Sequence, residues 1–185
     1  MKIGVISDTH GNLEGWEKIM DLFQDVDMIL HAGDILNHGP ANPIPSGYAP
    51  KGMIESINSC KIPILIAKGN CDSEVDELLL NIPILSPYVI FQDGGFRILV
   101  QHGHTHDEAG RIELAKKGKV DLVISGHTHL PEIKKGEGVI LLNPGSSGIS
   151  FYNNGIPTAG LLIDQKVQII DINSKEIIME ERLWS

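Results

Sequence analysis

The chain has only two cysteines, Cys60 and Cys71, in 185 residues. No disulfide framework can be built from them, and a reducing, cytoplasmic setting is expected. No apolar run approaches the ~20 residues needed to cross a bilayer, and the apolar stretch before Asp8 is too short for a secretory core. No membrane partner is expected. Positive charge is scarce: Lys and Arg number 15 against 24 Asp and Glu, for a formal net charge of −9. Arginine occurs only as Arg97, Arg111 and Arg182, and the densest basic patch, Ala115-Lys116-Lys117-Gly118-Lys119, looks like an exposed helix end. A groove tracking long nucleic acid is therefore not expected. An acidic protein can still take an anionic substrate if bound cations supply the local charge. Hydrophobic content is an ordinary 42%, and the length suits a single domain over residues 1–185.

Five times a short apolar run stops abruptly at residues that like metals. Ile3–Ser7 leads into Asp8-Thr9-His10, Met28–Leu30 into His31-Ala32-Gly33-Asp34, and Ile64–Ala67 into Lys68-Gly69-Asn70. Ile98–Gln101 leads into His102-Gly103-His104, and Leu122–Ser125 into Gly126-His127-Thr128-His129. Such runs read as buried strands, and ligands of open α/β sheets collect at the carboxyl ends of strands. The five stretches are thus expected to deliver side chains to one rim.

Between these runs the N-terminal half alternates strand and helix, which predicts a parallel sheet with covering helices. Leu13, Trp16, Ile19, Met20 and Phe23 share one helical face behind a candidate N-cap, Asn12. Helices are also predicted over 52–60 and, behind Ser73, through Leu80. Asn37 to Pro50 carries four prolines, cannot be regular throughout, and reads as a wall of the substrate pocket because it follows Asp34. After a predicted hairpin around Asp93-Gly94-Gly95 and a helix over 108–117, strands dominate from Glu132 onward. The expected class is α/β, with two sheets packed face to face and helices on the outer faces.

The candidate ligands are Asp8, His10, Asp34, Asn70, His102, His127 and His129. This oxygen and nitrogen set needs no thiolate and suits Mn, Fe, Zn, Co or Ni. Seven ligands exceed what one open catalytic ion takes and suit a pair of ions, the arrangement that cleaves phosphate esters. Asp8/His10 and His127/His129 are two residues apart, a spacing that in a strand sends both side chains to one face. His31 and His38 read as hydrogen-bonded structural residues, His106 as exposed, and His104 as a candidate phosphate contact.

Taken together, these strings resemble the calcineurin-like metallophosphoesterase superfamily. Ile6-Ser7-Asp8-Thr9-His10-Gly11-Asn12, His31-Ala32-Gly33-Asp34, Gly69-Asn70-Cys71-Asp72, Gln101-His102-Gly103-His104, Ser125-Gly126-His127-Thr128-His129 and Asn143-Pro144-Gly145-Ser146 are similar to its small YfcE-type phosphodiesterases. The resemblance implies a four-layer αββα sandwich and a homo-oligomer. It implies two divalent ions, with manganese the leading expectation, one held by Asp8, His10 and His129 and the other by Asn70, His102 and His127. Asp34 would bridge them, and a hydroxide activated between the ions would attack a small phosphate diester. Where many members carry a histidine that assists the leaving group, this chain has Cys71, a poorer proton donor; weaker action on poor leaving groups is expected. The resemblance leaves two alternatives, a phosphomonoesterase and an interaction scaffold like the retromer subunit Vps29.

Overall fold

The computed structural model describes residues 1–183. In chain order the elements are β1 (Ile3–Ile6), α1 (Leu13–Leu22), β2 (Met28–His31), α2 (Pro50–Ser59), β3 (Ile64–Ala67), α3 (Glu74–Leu79), β4 (Ile84–Leu85), β5 (Val89–Asp93), β6 (Phe96–Val100), α4 (Glu108–Gly118) and β7 (Leu122–Ile124). There follow β8 (Pro131–Gly136), β9 (Val139–Pro144), a 3-10 turn (Phe151–Asn153), β10 (Thr158–Ile163), β11 (Lys166–Asp171) and β12 (Ile177–Arg182). A seven-stranded sheet runs β12-β11-β10-β1-β2-β3-β4 and a five-stranded sheet β5-β6-β7-β9-β8. Both are mixed: β1 to β4 are mutually parallel, as are β6, β7 and β9, while β10 joins β1 antiparallel.

Strand alternation produces the layers. Ile3 and Val5 of β1 and Met28 and Leu30 of β2 face Ile98, Val100, Leu122 and Ile124 of the other sheet across a shared apolar core. The residues between them point outward: Ile6 and Ile29 lie under Trp16, Ile19 and Phe23 of α1 and its end. Likewise Leu99 and Val123 lie under Ala115 of α4. Buried on both faces, these strands read as unbroken apolar runs. The αββα sandwich follows.

The expected helices form with small shifts of their ends. Asn12 caps α1 by accepting from the Gly15 N–H at 3.0 Å, and Ser73 and Asp76 make a capping box on α3. β3 begins at Ile64, directly after Pro63, which has no N–H to donate. The two-residue β4 and the 3-10 turn at Phe151 were not anticipated; both are too short to leave a periodic trace. Among the described residues no helix is long and apolar enough to cross a membrane.

The end of α1 lies so close to β1 that a Cβ at Gly4 would clash with the ring edge of Phe23, which is fully buried. Gly4→Ala should cost about 1–3 kcal/mol, read as a lowered denaturation midpoint with an unchanged denaturant slope.

Candidate metal centre

The parallel strands end at Ile6, His31, Ala67, Val100 and Ile124, and each ligand candidate lies a few residues beyond, in the turn that follows. Five of the seven occupy the left-handed region: Asp8 (φ 55°), His10 (46°), Asp34 (58°), His127 (71°) and His129 (59°). The pairs Asp8/His10 and His127/His129 therefore converge because the backbone coils left-handed at each residue, and strand alternation, the expected reason, has already ended. Such conformations are sparsely populated for residues with a side chain and concentrate at functional sites.

Asp8, His10, Asp34, His102 and His129 form a buried floor, while Asn70, His127 and His104 stand exposed at its mouth. On the floor, Asp8 Oδ1 is 3.2 Å from His129 Nε2 and 3.6 Å from His10 Nε2, and the two Nε2 atoms are 3.1 Å apart. Ligands held about 2.1 Å from one ion lie roughly 3–3.5 Å from each other, so this triangle has the dimensions of a coordination edge. Asp34 Oδ2 lies 3.2 Å from His102 Nε2 and 3.9 Å from His10 Nε2, which places it between the two groups. The His127 ring centroid is 5.2 Å from that of His102. His104 stands 5.4 Å from His102 and 6.1 Å from His127.

Two observations test whether these residues fit metal ions. Among the described residues, Asp8 Oδ1 and His102 Nε2 are buried without a well-formed hydrogen bond and meet only the other ligand candidates, an arrangement that calls for a cation between them. The outer nitrogens are tied instead: His10 Nδ1 donates to the Asn37 carbonyl at 2.7 Å and His102 Nδ1 to the Ala32 carbonyl at 2.8 Å. A carbonyl only accepts, so in the neutral ring each Nε2 presents a lone pair to the centre, as in histidines that bind metal. The set fits divalent ions. His31 is held the other way: its Nδ1 accepts from the Gly33 N–H at 3.0 Å and its Nε2 contacts Thr9 Oγ1 at 3.1 Å. Burial pushes its pKa down to about 3, so it is a neutral brace, as expected.

Electrostatics point the same way. Burial alone would raise Asp8, yet His10 and His129 beside it and the charge of His102 hold it well below the carboxylate range. Burial opposes charge on His102, but Asp34 against it and Asp8 nearby push it up to about 9. The buried carboxylates thus demand a cation, either a proton on histidine or an ion in its place. Burial and the His102 charge lower both His104 and His127.

Backbone donors hold the carboxylates in place. Asp8 Oδ2 accepts from the His127 N–H at 3.0 Å and Asp34 Oδ1 from the Cys71 N–H at 2.8 Å. Gly69 and Gly126 permit this approach: a Cβ at Gly69 would meet the Asp34 carboxylate, and one at Gly126 the side chains of Ser7 and Asp8. Cys71 reaches the centre, its sulfur grouping with His10 and Asp34. Burial, and then the Asp34 charge, push its thiol up to about 12, which makes it a weaker acid still than the free thiol.

Sequence reasoning assigned no role to Asp72, although it lies in the quoted Gly69–Asp72 string. Its carboxylate accepts from Asp34 N–H (2.9 Å), Gly69 N–H (2.7 Å) and Ile35 N–H (2.8 Å), binding the two ligand turns together. Also missed were Phe151 and Tyr152, the latter edge-on to His129 with ring centroids 5.4 Å apart. The Asn37–Pro50 segment is loop up to Pro50, which opens α2, and it meets the site at Asn37, whose carbonyl orients His10. Arg111 lies behind the His102–His104 turn, donating to the His106 carbonyl at 3.4 Å.

A two-sheet sandwich with a carboxylate and histidine cluster at the ends of its parallel strands defines the calcineurin-like phosphoesterase class. The chain belongs to that family: the family model for the calcineurin-like phosphoesterase superfamily domain matches residues 1–165. It is 35% identical to phosphodiesterase YfcE of Escherichia coli over 97% of both chains. The solved E. coli Yfce phosphoesterase superposes with a TM-score of 0.89 over the whole of both chains at 31% identity. Phosphodiesterase MJ0936 of Methanocaldococcus jannaschii is 30% identical over 97% of this chain and 100% of its own. Vacuolar protein sorting 29 from Cryptosporidium parvum, at 20% identity and a TM-score of 0.70 over 98% and 97% of the two chains, shares the fold. The family implies divalent metal ions and hydrolysis of phosphoesters.

Asp72→Asn puts an N–H group against backbone N–H groups. It should lower metal affinity by about 10–100-fold in a chelator competition. The His102 shift sets a pH signature. Its folded pKa, near 9, exceeds the usual 6.5, so its contribution to stability is full below pH 6.5 and is lost as pH rises through 9. Chelator-treated protein should therefore lose thermal stability over that window, and protein saturated with metal, in which an ion takes the place of the proton, should not.

Proposed function

We propose that this chain is a phosphodiesterase that hydrolyses small phosphate diesters with two divalent transition-metal ions, manganese in the working enzyme. The observation that carries the reading is Asp34 Oδ2, set between His10 Nε2 at 3.9 Å and His102 Nε2 at 3.2 Å. One carboxylate oxygen shared by two histidine groups is the arrangement a bridged pair of ions requires. In this reading Asp8, His10 and His129 would hold one ion, Asn70, His102 and His127 the other, and Asp34 would serve both. Iron, zinc, nickel and cobalt are compatible with the same donors. The phosphodiesterase relatives, 35% and 30% identical over nearly the whole chain, support the diester.

When bound, the ions supply an activated water and neutralise charge on the phosphoryl oxygens. The protein supplies the rest. Asp8 and Asp34 each commit one oxygen to a backbone N–H and leave the other for the centre. His10 and His102 are fixed in one tautomer by carbonyls. His104, exposed at the mouth, would donate to a phosphoryl oxygen. Cys71 acts through its N–H on Asp34; its thiol is too weak an acid to protonate a leaving alkoxide at neutral pH. Good leaving groups are therefore the preferred esters.

The net charge of −9 favours small substrates over long nucleic acid. Exposed Val75, Leu78 and Leu79 on α3 support a homo-oligomer, and two free thiols suit the cytoplasm. The test is hydrolysis of bis(p-nitrophenyl) phosphate with and without Mn²⁺. The wild type should turn over only with metal, and Asp34→Asn should lose about 100-fold or more. Metal binding without turnover by the wild type would instead mark an interaction scaffold, and turnover confined to p-nitrophenyl phosphate a monoesterase.

A further inference from the structure

We infer that Phe151 and Tyr152 form an aromatic shelf that binds a planar aromatic substituent of the phosphate ester. The inference rests on the phosphodiesterase reading and deepens it by naming what the ester carries. The Tyr152 ring is edge-on to His129, 5.4 Å away, and Phe151 is edge-on to Tyr152 at 5.6 Å. A continuous line of rings thus runs from the metal-binding floor out to solvent. The outer two are open to a ligand: Phe151 is 74% exposed and Tyr152 48%. Exposing two adjacent aromatic rings in a chain with only 5% aromatic residues is costly unless something covers them.

The shelf is fixed to the centre it serves. Ser146 Oγ donates to the Asp8 carbonyl at 2.7 Å and accepts from the Ile149 N–H at 2.7 Å. The Gly155 N–H closes the turn on the Ser150 carbonyl at 3.0 Å, and the Asn153 side chain donates to the Ile156 carbonyl at 2.9 Å. The rings therefore sit on a segment that Ser146 and Gly148 pin to the carbonyl of Asp8. Phe151 also lines a cavity of about 290 Å³, together with Pro43, Pro45 and Ser46 of the long loop. Glu14, Lys18 and Ser150 also line it, so its walls are polar as well as apolar. An ester whose phosphate sits over the metal floor would lay its substituent along Tyr152 and Phe151 and reach this cavity. A ring with polar edges suits such walls. The shared chemistry is a flat π-system, which either a nucleobase or a simple aryl group provides.

The experiment is titration calorimetry on Mn²⁺-loaded protein with two ligand pairs that differ only in the ring: adenosine 5′-phosphate against ribose 5-phosphate, and phenylphosphonate against methylphosphonate. The wild type should bind the ring-bearing member of at least one pair about tenfold tighter. The first pair reports a nucleobase and the second a simple aryl group. Phe151→Ala/Tyr152→Ala should bring that preference to within about twofold while inorganic phosphate binds as before, and Tyr152→Phe, which keeps the ring, should retain it. Equal affinities within both pairs for the wild type, or a preference that survives the double variant, would overturn the shelf. Hydrolysis of bis(p-nitrophenyl) phosphate separates the two levels. Turnover without ring preference defeats the shelf alone; no turnover and no phosphonate binding defeats the phosphodiesterase reading and the shelf with it.

Discussion

Two buried carboxylates, Asp8 and Asp34, constrain the whole region. Burying an ionised carboxylate costs several kcal/mol unless it is met by charge and hydrogen bonds. Here each is met twice. One oxygen takes a backbone N–H from a distant turn, His127 for Asp8 and Cys71 for Asp34. The other turns toward the histidines. The tie from Asp8 to His127 crosses from one sheet to the other, so the charge that calls for a cation also fastens the two sheets at their common rim. Asp72 repeats the device one layer out, taking three N–H donors with one side chain.

This arrangement accounts for the backbone. A non-glycine residue in the left-handed region is strained by about 1–3 kcal/mol, and five ligand candidates share that conformation. It persists because the surroundings leave no alternative. Ser146 holds the Asp8 carbonyl, and Asn143 donates to the Gly126 carbonyl at 2.9 Å and to Thr128 Oγ1 at 3.0 Å. The Asn143–Ser146 string thus acts as a clamp on the first and last ligand turns. A left-handed residue at a strand end turns the chain sharply, so Asp8 and His10 can both face inward within three residues of each other. An extended strand would have spread them further apart.

Much of this was legible in the sequence because it depends on periodicity and punctuation. Double-sided burial makes the β1, β2, β6 and β7 runs continuous and apolar, and the turn after each is marked by glycine beside Asp, Asn or His. The four layers and the seven candidates followed from those signals and from the resemblance they carried. What was not legible depends on contacts across long sequence separations. Asp72 is one acid among 24 Asp and Glu until its three N–H partners are known. Phe151 and Tyr152 lie in an irregular segment with no period, and only the fold sets Tyr152 against His129, 23 residues earlier in the chain. The i, i+2 spacing of Asp8 and His10 pointed to convergence for a reason that proved incorrect, since β1 ends at Ile6.

The site therefore divides into a floor and a mouth with different physical demands. The floor is buried, charged and strained, and each part of it depends on others. Changing one carboxylate leaves orphaned N–H groups and unpaired histidines, each costing about 1–3 kcal/mol. The mouth carries the exposed Asn70, His104 and His127, and beside it lies the 148–157 segment with the exposed rings of Phe151 and Tyr152. Substitutions there change what is bound without disturbing the charge balance beneath. A change of ester could then leave the floor as it is, which makes the mouth the place to seek selectivity in this chain. That is where this chain places the exposed rings of Phe151 and Tyr152, Phe151 in a cavity wall shared with Pro43 and Pro45 of its proline-rich loop.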